Sequence, residues 1–512
     1  MKYTKIAVAC GLALAAMSAQ AAGPTIPAGT KVVFLSGATA PDNFLADIAN
    51  SMMTGVTAIR SNDSGILHRA YLGKAAAGIP GVAVGTDVLF IKRSKGGSVW
   101  GVDPVARAQR IETLDLNNCV AGAAPFAWSC GTKGIDPGIV GHETAANTGL
   151  VADFGVSDVE PALFQEPYNT ENGQPALSAS ELATLSNKPV NQIMMGIVAT
   201  NAVSDATHIS RAQYGGMLAG KIDTWNQIEN LTVPNDSPVV VCRRVNGSGT
   251  QTSYNWMFTG FPCNNASLGS VDTPPATAAD SWGFDGAHAG TTEDPFIIDP
   301  TAGLTIIENS GSGDVRNCLK AAQDGTDFAV TGSNNQKYLV KFSDVGGPSK
   351  AIGVLSLDSY NNANTDGKYS FRHLDGAGTF NGATQVSTST LAGGPTGIAP
   401  SKANLLNGKY DFVVELSMQA RNATVTNPNG DVVAPITADA VKNAFYNEFV
   451  KRAGSTKYTG NDGVAVAPFP TKVPNAFASL PQHFSYGTKP DFVSKFSRNG
   501  NTCAPLVSFP AL

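Results

Sequence analysis

The sequence predicts an α/β fold with largely parallel sheets. Three observations lead there. A unit of buried strand, small-residue loop and helix recurs four times along the chain. The loops inside these units are short and rich in Gly, Ser and Thr. No fixed-period repeat competes with that pattern. Strands that alternate with helices through short connections pack as sheets covered by helices.

The first unit is "GTKVVFLSGATAPDNFLADIANSMM" (29–53). Lys31 to Leu35 reads as a buried strand and Ser36 to Thr39 as a tight loop. Pro41 suits the first turn of a helix, where a missing N–H costs nothing. Phe44, Leu45, Ile48 and Met52 then recur at helical spacing. The second unit predicts a strand over 87–92, a loop over 94–98 and a helix over 104–112. The third predicts a strand over 238–243, a loop over 246–250 and a helix over 251–258. The fourth predicts a strand over 304–307, a loop over 309–313 and a helix over 314–322, with Val315, Cys318, Leu319 and Ala322 on one face. Residues 264–300 and 361–408 read as loops or insertions, rich in turn residues and poor in apolar periodicity. Near the end, Thr437 is placed to cap a helix whose Val441, Phe445 and Phe449 share a face, and Gly454 ends it.

The N-terminus addresses location. Lys2 and Lys5 precede an apolar stretch from Ile6 to Met17, and Ala19-Gln20-Ala21 makes a small-x-small cleavage site. Residues 1–21 therefore read as a secretory signal, too short in its apolar part for a membrane span. Cys10 lies too near the start for a lipoprotein box. The expected location is periplasmic or secreted. Acids outnumber bases (40 against 35), and losing the signal removes two lysines and no acid. That balance argues against nucleic acid as a partner. No later stretch approaches membrane-helix length, so no membrane span is expected after signal cleavage. Cys119, Cys130, Cys242, Cys263, Cys318 and Cys503 remain. An even number in an exported chain favours disulfides over buried free thiols. Closeness in sequence favours Cys119–Cys130 and Cys242–Cys263, which leaves Cys318 with Cys503.

The most informative stretch is "VVCRRVNGSGTQTSYNWMF" (240–258). A Gly/Ser/Thr loop between strand and helix gathers free backbone N–H groups at the positive end of the helix, which makes an anion site. Arginine adds a planar fork for two oxygens. Arg244 with Gly247-Ser248-Gly249-Thr250 thus reads as an oxyanion cradle, although an ordinary turn has the same composition. No lysine follows the second glycine, so this is not a nucleotide loop. The G-x-S-x-G spacing of a hydrolase elbow is missing too. His142-Glu143 lacks a histidine four residues after His142, and the six histidines are scattered. Neither a metal site nor a cofactor site is expected.

Several stretches, in order, resemble periplasmic phosphate-binding proteins, the solute receptors of phosphate ABC importers. "RRVNGSGT" (243–250) is similar to that family's arginine-to-threonine anion loop. "LSGATAPDN" (35–43) resembles its first loop, and "ADFGVSDVEP" (152–161) its "DFGASD"-type segment. "PVNQIMMGIVATN" with "AGKIDTWNQI" resembles the crossover strand and the helix end that follows. "AIGVLSLDSY" (351–360) resembles the return strand. The resemblance spans most of residues 30–455. It implies a type II periplasmic binding protein, with two α/β lobes, a double crossover hinge and a ligand cleft between the lobes. Lobe one would be 22–190 with 357–512, and lobe two 191–356.

Carried over residue by residue, the resemblance implies one site. Thr39, or Ala38 by its backbone, would contribute from the first loop. Ser94 and Ser98 are both candidates in the second, "RSKGGS" (93–98). Asp158 would face the ligand, and Arg244, Ser248, Gly249 and Thr250 would form the third wall. Arg243 is taken as structural. Two departures stand out. The chain between the first loop and Asp158 is far longer than the family pattern. Asn246 stands where the family commonly has an aspartate that steadies the arginine. The resemblance implies a monomeric, non-enzymatic receptor for inorganic phosphate or a similar oxyanion, with an ABC permease as partner. A binding fold recruited to a surface or matrix task, and a phosphatase-type enzyme, are the alternatives.

Overall fold

The computed structural model describes residues 23–39, 42–62, 68–171, 173–228, 237–263, 275–332, 336–382, 384–455, 476–483 and 492–509. The expected signal segment and Pro41 lie outside them. The principal elements are β1 (Lys31–Gly37), α1 (Asp42–Ser51), β2 (Met53–Ser61), β3 (Arg69–Ala75), β4 (Asp87–Arg93), β5 (Thr113–Ala121), β6 (Trp128–Lys133), β7 (Phe154–Ser157) and β8 (Leu185–Thr200). They continue with β9 (Val240–Arg244), α2 (Gly249–Thr259), β10 (Thr305–Asn309), α3 (Ser312–Asp324), β11 (Ala351–Ser356), β12 (Val413–Arg421) and α4 (Ala440–Ala453).

One long mixed sheet runs through the molecule in the order β10-β9-β11-β8-β12-β7-β1-β4-β3-β2-β6-β5. It contains two parallel triplets. In one, β1 pairs with β4 and β7. In the other, β9 pairs with β10 and β11. Between them run β8 and β12, antiparallel to each other, with β8 also antiparallel to β11 and β12 to β7. These two long strands cross between the triplets. The expected α/β fold with a double crossover is the one observed. Strands buried on both faces carry continuous apolar runs: Val33, Phe34 and Leu35 in β1, and Val88 to Ile91 in β4, are all buried. Helix α4 covers this triplet, with Phe449 stacked on Phe90 at 4.8 Å and Tyr446 edge-on to Phe154 at 5.4 Å. On α3 the predicted face, Val315, Cys318, Leu319 and Ala322, is fully buried.

Some expectations are corrected. The helix over 104–112 is a single turn, Asp103–Ala106. Ala108 sits at φ 53°, and Arg110–Ile111 pairs with Leu150–Val151 instead. Arg110 is held there by a two-pronged bond to Asp431, at 2.7 and 2.6 Å. The cap of α4 is Asp439, whose carboxylate accepts from Val441 and Lys442 N–H, and not Thr437. The insertion after residue 264 contains strand pieces at 284–285 and 296–298. These join 328–331 and 337–340 in a small separate sheet. Residues 369–372, within the other predicted insertion, pair with the 198–200 end of β8.

The disulfides also differ in part. Cys119 joins Cys130 across β5 and β6, where the two face each other in register. The pairings Cys242–Cys263 and Cys318–Cys503 are not formed. Cys242 on β9 joins Cys318 on α3, and Cys263 joins Cys503. The cause is geometric. The 11 residues of α2 lie between Cys242 and Cys263. A helix of that length advances about 16 Å, whereas bridged Cα atoms must lie within about 7 Å. Cysteines near in sequence are thereby carried apart, and Cys242 meets the helix packed on its strand.

Peptide mapping without reduction should recover Cys242 linked to Cys318 and Cys263 linked to Cys503. A peptide joining Cys242 to Cys263 would contradict the packing of α3 on β9. Replacing Cys263 and Cys503 with serine frees a loop of 240 residues. It should cost on the order of 2–5 kcal/mol, read as a lower urea midpoint.

Candidate anion-binding site

In parallel sheets, ligands bind beyond the carboxyl ends of the strands. Here β1, β4 and β7 end at Gly37, Arg93 and Ser157, and β9, β10 and β11 end at Arg244, Asn309 and Ser356. The sequence-predicted site residues leave from these ends.

After β9 the chain turns through Gly247, at φ 78°, and enters α2. Ser248 is the cap: its Oγ accepts from Gln251 N–H and its carbonyl from Thr252 N–H. Gln251 Oε1 in turn accepts from Arg244 N–H at 3.1 Å, which ties the helix start to the strand end. The first helical N–H groups, those of Gly249 and Thr250, have no partner within the helix. They point outward at its positive end.

The opposite triplet meets this helix directly. Val99 N–H donates to Gly247 O at 3.0 Å. Ser98 Oγ accepts from Asp158 N–H at 3.1 Å. A Cβ on Gly249 would collide with Ser98 Oγ and lie 2.8 Å from Asp158 Cβ. Ser98, Asp158 and Ser248–Thr250 are therefore one cluster.

Asp158 is 4% exposed, and its Oδ1 has no hydrogen-bond partner among the described residues. Burial pushes its carboxyl up to about 6, against the opposing pull of Arg244 and of Ser98. Arg244 is 3% exposed. Its Nε donates to Asn309 O at 3.3 Å, one terminal nitrogen to Ser312 Oγ at 3.2 Å and the other to Ser310 O at 2.7 Å. Burial lowers its pKa, while the carboxylates of Asp158, Asp314 and Glu171 support its charge. Asp158 and Asp314 supply the negative charge that Asn246 lacks, since burial keeps Glu171 protonated up to about 8. Asn246 Oδ1 accepts instead from Arg243, which also donates to Arg244 O and Ala276 O. Arg243 is thus consumed by structure.

The remaining candidates separate. Ser94 is buried beside Lys92 and His68: its Oγ accepts from Lys92 Nζ at 3.1 Å and its N–H donates to His68 Nδ1. Ser98, not Ser94, touches α2. Ala38 N–H is already donated to Val156 O at 2.9 Å, so it is not free for a ligand in this arrangement. Thr39 is half-buried and its carbonyl accepts from Asp42 N–H.

The sequence reading missed Lys92 and Ser312, which stand beside these residues. Lys92 is buried and pairs with Asp42 at 3.2 Å. The signal was available: two basic residues close an otherwise apolar strand, "DVLFIKR". Ser312 lies in a second Gly/Ser loop, "NSGSGD", which the reading marked as a loop and left without a role.

A model of the PBP superfamily domain matches residues 195–450, half of the chain, and the protein belongs to that superfamily. No curated protein matches the chain. Among solved structures, the chain is similar to PstS from Borrelia burgdorferi at 11% identity over 84% of this chain and 94% of that one, with a TM-score of 0.33. It is similar to a phosphate binding protein from Stenotrophomonas maltophilia at 15% identity over 85% and 84%, with a TM-score of 0.32. A high-affinity periplasmic phosphate-binding protein, PfluDING, matches at 14% identity over 90% of each chain, with a TM-score of 0.36. The superfamily assignment rests on the domain match. No helix among the described residues is long and apolar enough to cross a membrane.

The buried carboxyls make stability depend on pH. Burial raises Asp158 to about 6, Asp103 and Asp358 to about 7, and Glu171 to about 8. The folded chain keeps these protons at pH values where the unfolded chain has released them. Their contribution is complete below the unfolded carboxylate range and is lost as pH rises through 6 to 8. Buried neutral His68, lowered to about 4, opposes this only below its unfolded pKa of 6.5. Buried Lys402, lowered to about 7, works the other way from there up to the unfolded lysine range, so the loss is read against a variant. The urea midpoint of the ligand-free wild type relative to Glu171→Gln should fall between pH 6.5 and 8.5. A constant difference over that range would show that the Glu171 carboxyl is not buried as described.

Proposed function

We propose that this protein is an extracytoplasmic solute-binding protein that captures phosphate in the cleft between its two triplets and presents it to an ABC-type permease. One observation carries the reading. A buried carboxylate with an unpartnered oxygen, Asp158, stands against a donor-rich wall made by Arg244 and the start of α2. Donors alone would take any oxyanion. The added acceptor asks for an oxyanion that carries a proton.

The roles follow from the chemistry. Ser98, Ser248, Gly249 and Thr250 surround the ligand with hydroxyl and N–H donors, and Thr39 closes the first-loop side. Arg244 turns its fork from Ser310 O to two ligand oxygens. The lobes are 22–190 with 357–512, and 191–356, and β8 and β12 form the hinge. Closure around the ligand completes its shell.

An ionised carboxylate only accepts hydrogen bonds. Hydrogen phosphate and dihydrogen phosphate can donate to it, and sulfate at neutral pH cannot. Two acceptors face to face in a dry cleft cost several kcal/mol. Competitive titration calorimetry at pH 7.5 should therefore show phosphate or arsenate preferred over sulfate by orders of magnitude. Asp158→Asn should narrow the gap, because an amide can donate to sulfate. Protonation of Asp158 near pH 6 should narrow it in the wild type as well. Arg244→Ala should weaken phosphate binding by about 2–5 kcal/mol. Equal affinity for the two anions in the wild type, or an unchanged ratio in Asp158→Asn, would contradict the reading.

A further inference from the structure

Asp358 is a carboxyl that the proposed ligand set does not use. It follows β11, which lies beside β9 in parallel with Gly353 opposite Cys242. It therefore leaves the sheet at the same edge as Arg244 and the start of α2. Ser356 Oγ donates to one of its oxygens, Oδ1. Among the described residues it forms no ion pair, whereas Asp42 is held by Lys92 at 3.2 Å. The charged groups around it are Asp158 from the opposite triplet, Arg316 on α3 and Asp42 on α1. Asp158 and Asp42 disfavour its charge and Arg316 favours it. The Nε of Arg316 is itself buried without a hydrogen-bond partner among the described residues.

Two carboxyls, Asp158 and Asp358, thus come to the cleft edge from opposite sides, and neither is ion-paired to a lysine or arginine. We propose that Asp358 is a second ligand-reading carboxyl and that the cleft takes phosphate together with two protons. The ligand is dihydrogen phosphate, or hydrogen phosphate with the second proton held on Asp358. This rests on the phosphate reading above and goes beyond it. Each ionised carboxylate requires one O–H facing it. Hydrogen phosphate, the main species above neutral pH, brings one and satisfies Asp158. Asp358 then has to be protonated, or the phosphate has to arrive with a second proton. Either way one proton enters the closed cleft from water with each hydrogen phosphate captured. Burial, opposed by the Ser356 bond, holds the Asp358 carboxyl up at about 7, where it can be the proton's resting place.

Calorimetry of phosphate binding at pH 8.0, in two buffers of different ionisation enthalpy, counts the protons taken up. The wild type should take up close to one proton per phosphate, and its affinity should fall about tenfold from pH 7.5 to 8.5, as one linked proton requires. Asp358→Asn, which keeps the shape, and Asp358→Ser should take up close to none and change affinity less than threefold over that range. A wild-type count near zero at pH 8.0 overturns the proposal whatever the variants do. Variants that keep the wild-type count and slope also overturn it, and leave phosphate binding standing. A wild type that binds no phosphate at any pH refutes the phosphate reading itself.

Discussion

The site depends on a place where backbone touches backbone. A side chain on Gly155 would run into the carbonyl of Gly101, and one on Gly37 into the carbonyl of Val156 and to 2.7 Å from Gly101 Cα. Gly37 stands at φ 117°, which a side chain would oppose as well. Only glycines allow the turn at Ser98–Gly101 to lie flat on the ends of β1 and β7. That turn carries Ser98, whose Oγ accepts from Asp158 N–H, and Val99, whose N–H donates to Gly247 O. Ser98 and Val99, which face the start of α2, are thus set by three missing side chains. A methyl group at any of them would lift Ser98 away from Asp158 and open the seam with α2.

Charge is the second constraint. The cluster buries Lys92, Arg93, Arg243 and Arg244 together with Asp42, Asp136 and Asp158. Buried charges persist only when paired and hydrogen-bonded. Lys92 has Asp42, and Arg93 has Asp136 at 2.8 Å with the ring of Trp100 4.3 Å away. Arg243 is spent on carbonyls and Asn246. Arg244 and Asp158 differ: neither forms an ion pair within salt-bridge distance among the described residues, Asp158 Oδ1 has no hydrogen-bond partner there, and Arg244 uses three of its five N–H donors. That unused capacity distinguishes a ligand site from a structural ion cluster.

The sequence made the fold class legible because buried parallel strands leave an unmistakable apolar run, and glycine-rich loops mark where each run ends. The face of α3 and the extent of α2 were readable for the same reason. Three kinds of feature were not. The stop after Ala106 depends on Arg110 reaching Asp431, a partner more than 300 residues away. The cysteine pairing depends on the direction in which α2 carries the chain, which spacing does not encode. Within the site, Ser98 and Ser94 are equivalent in sequence. Only the fold shows that Ser94 faces Lys92 while Ser98 faces Asp158 and Gly249. Lys92 and Asp358 were visible as residues, but their place at the cleft edge follows from strand order.

On the proposed function, a buried acceptor and a donor wall make this cleft a trap for a protonated oxyanion. Native mass spectrometry of the protein, purified without added phosphate and sprayed from a volatile neutral buffer, tests it most directly. A species heavier than the disulfide-bonded chain by one phosphoric acid is expected. That species should disappear after unfolding and refolding in phosphate-free buffer and return when phosphate is added. A bare chain that remains bare after phosphate is added, or a refolded chain that gains the adduct from sulfate as readily as from phosphate, would contradict it.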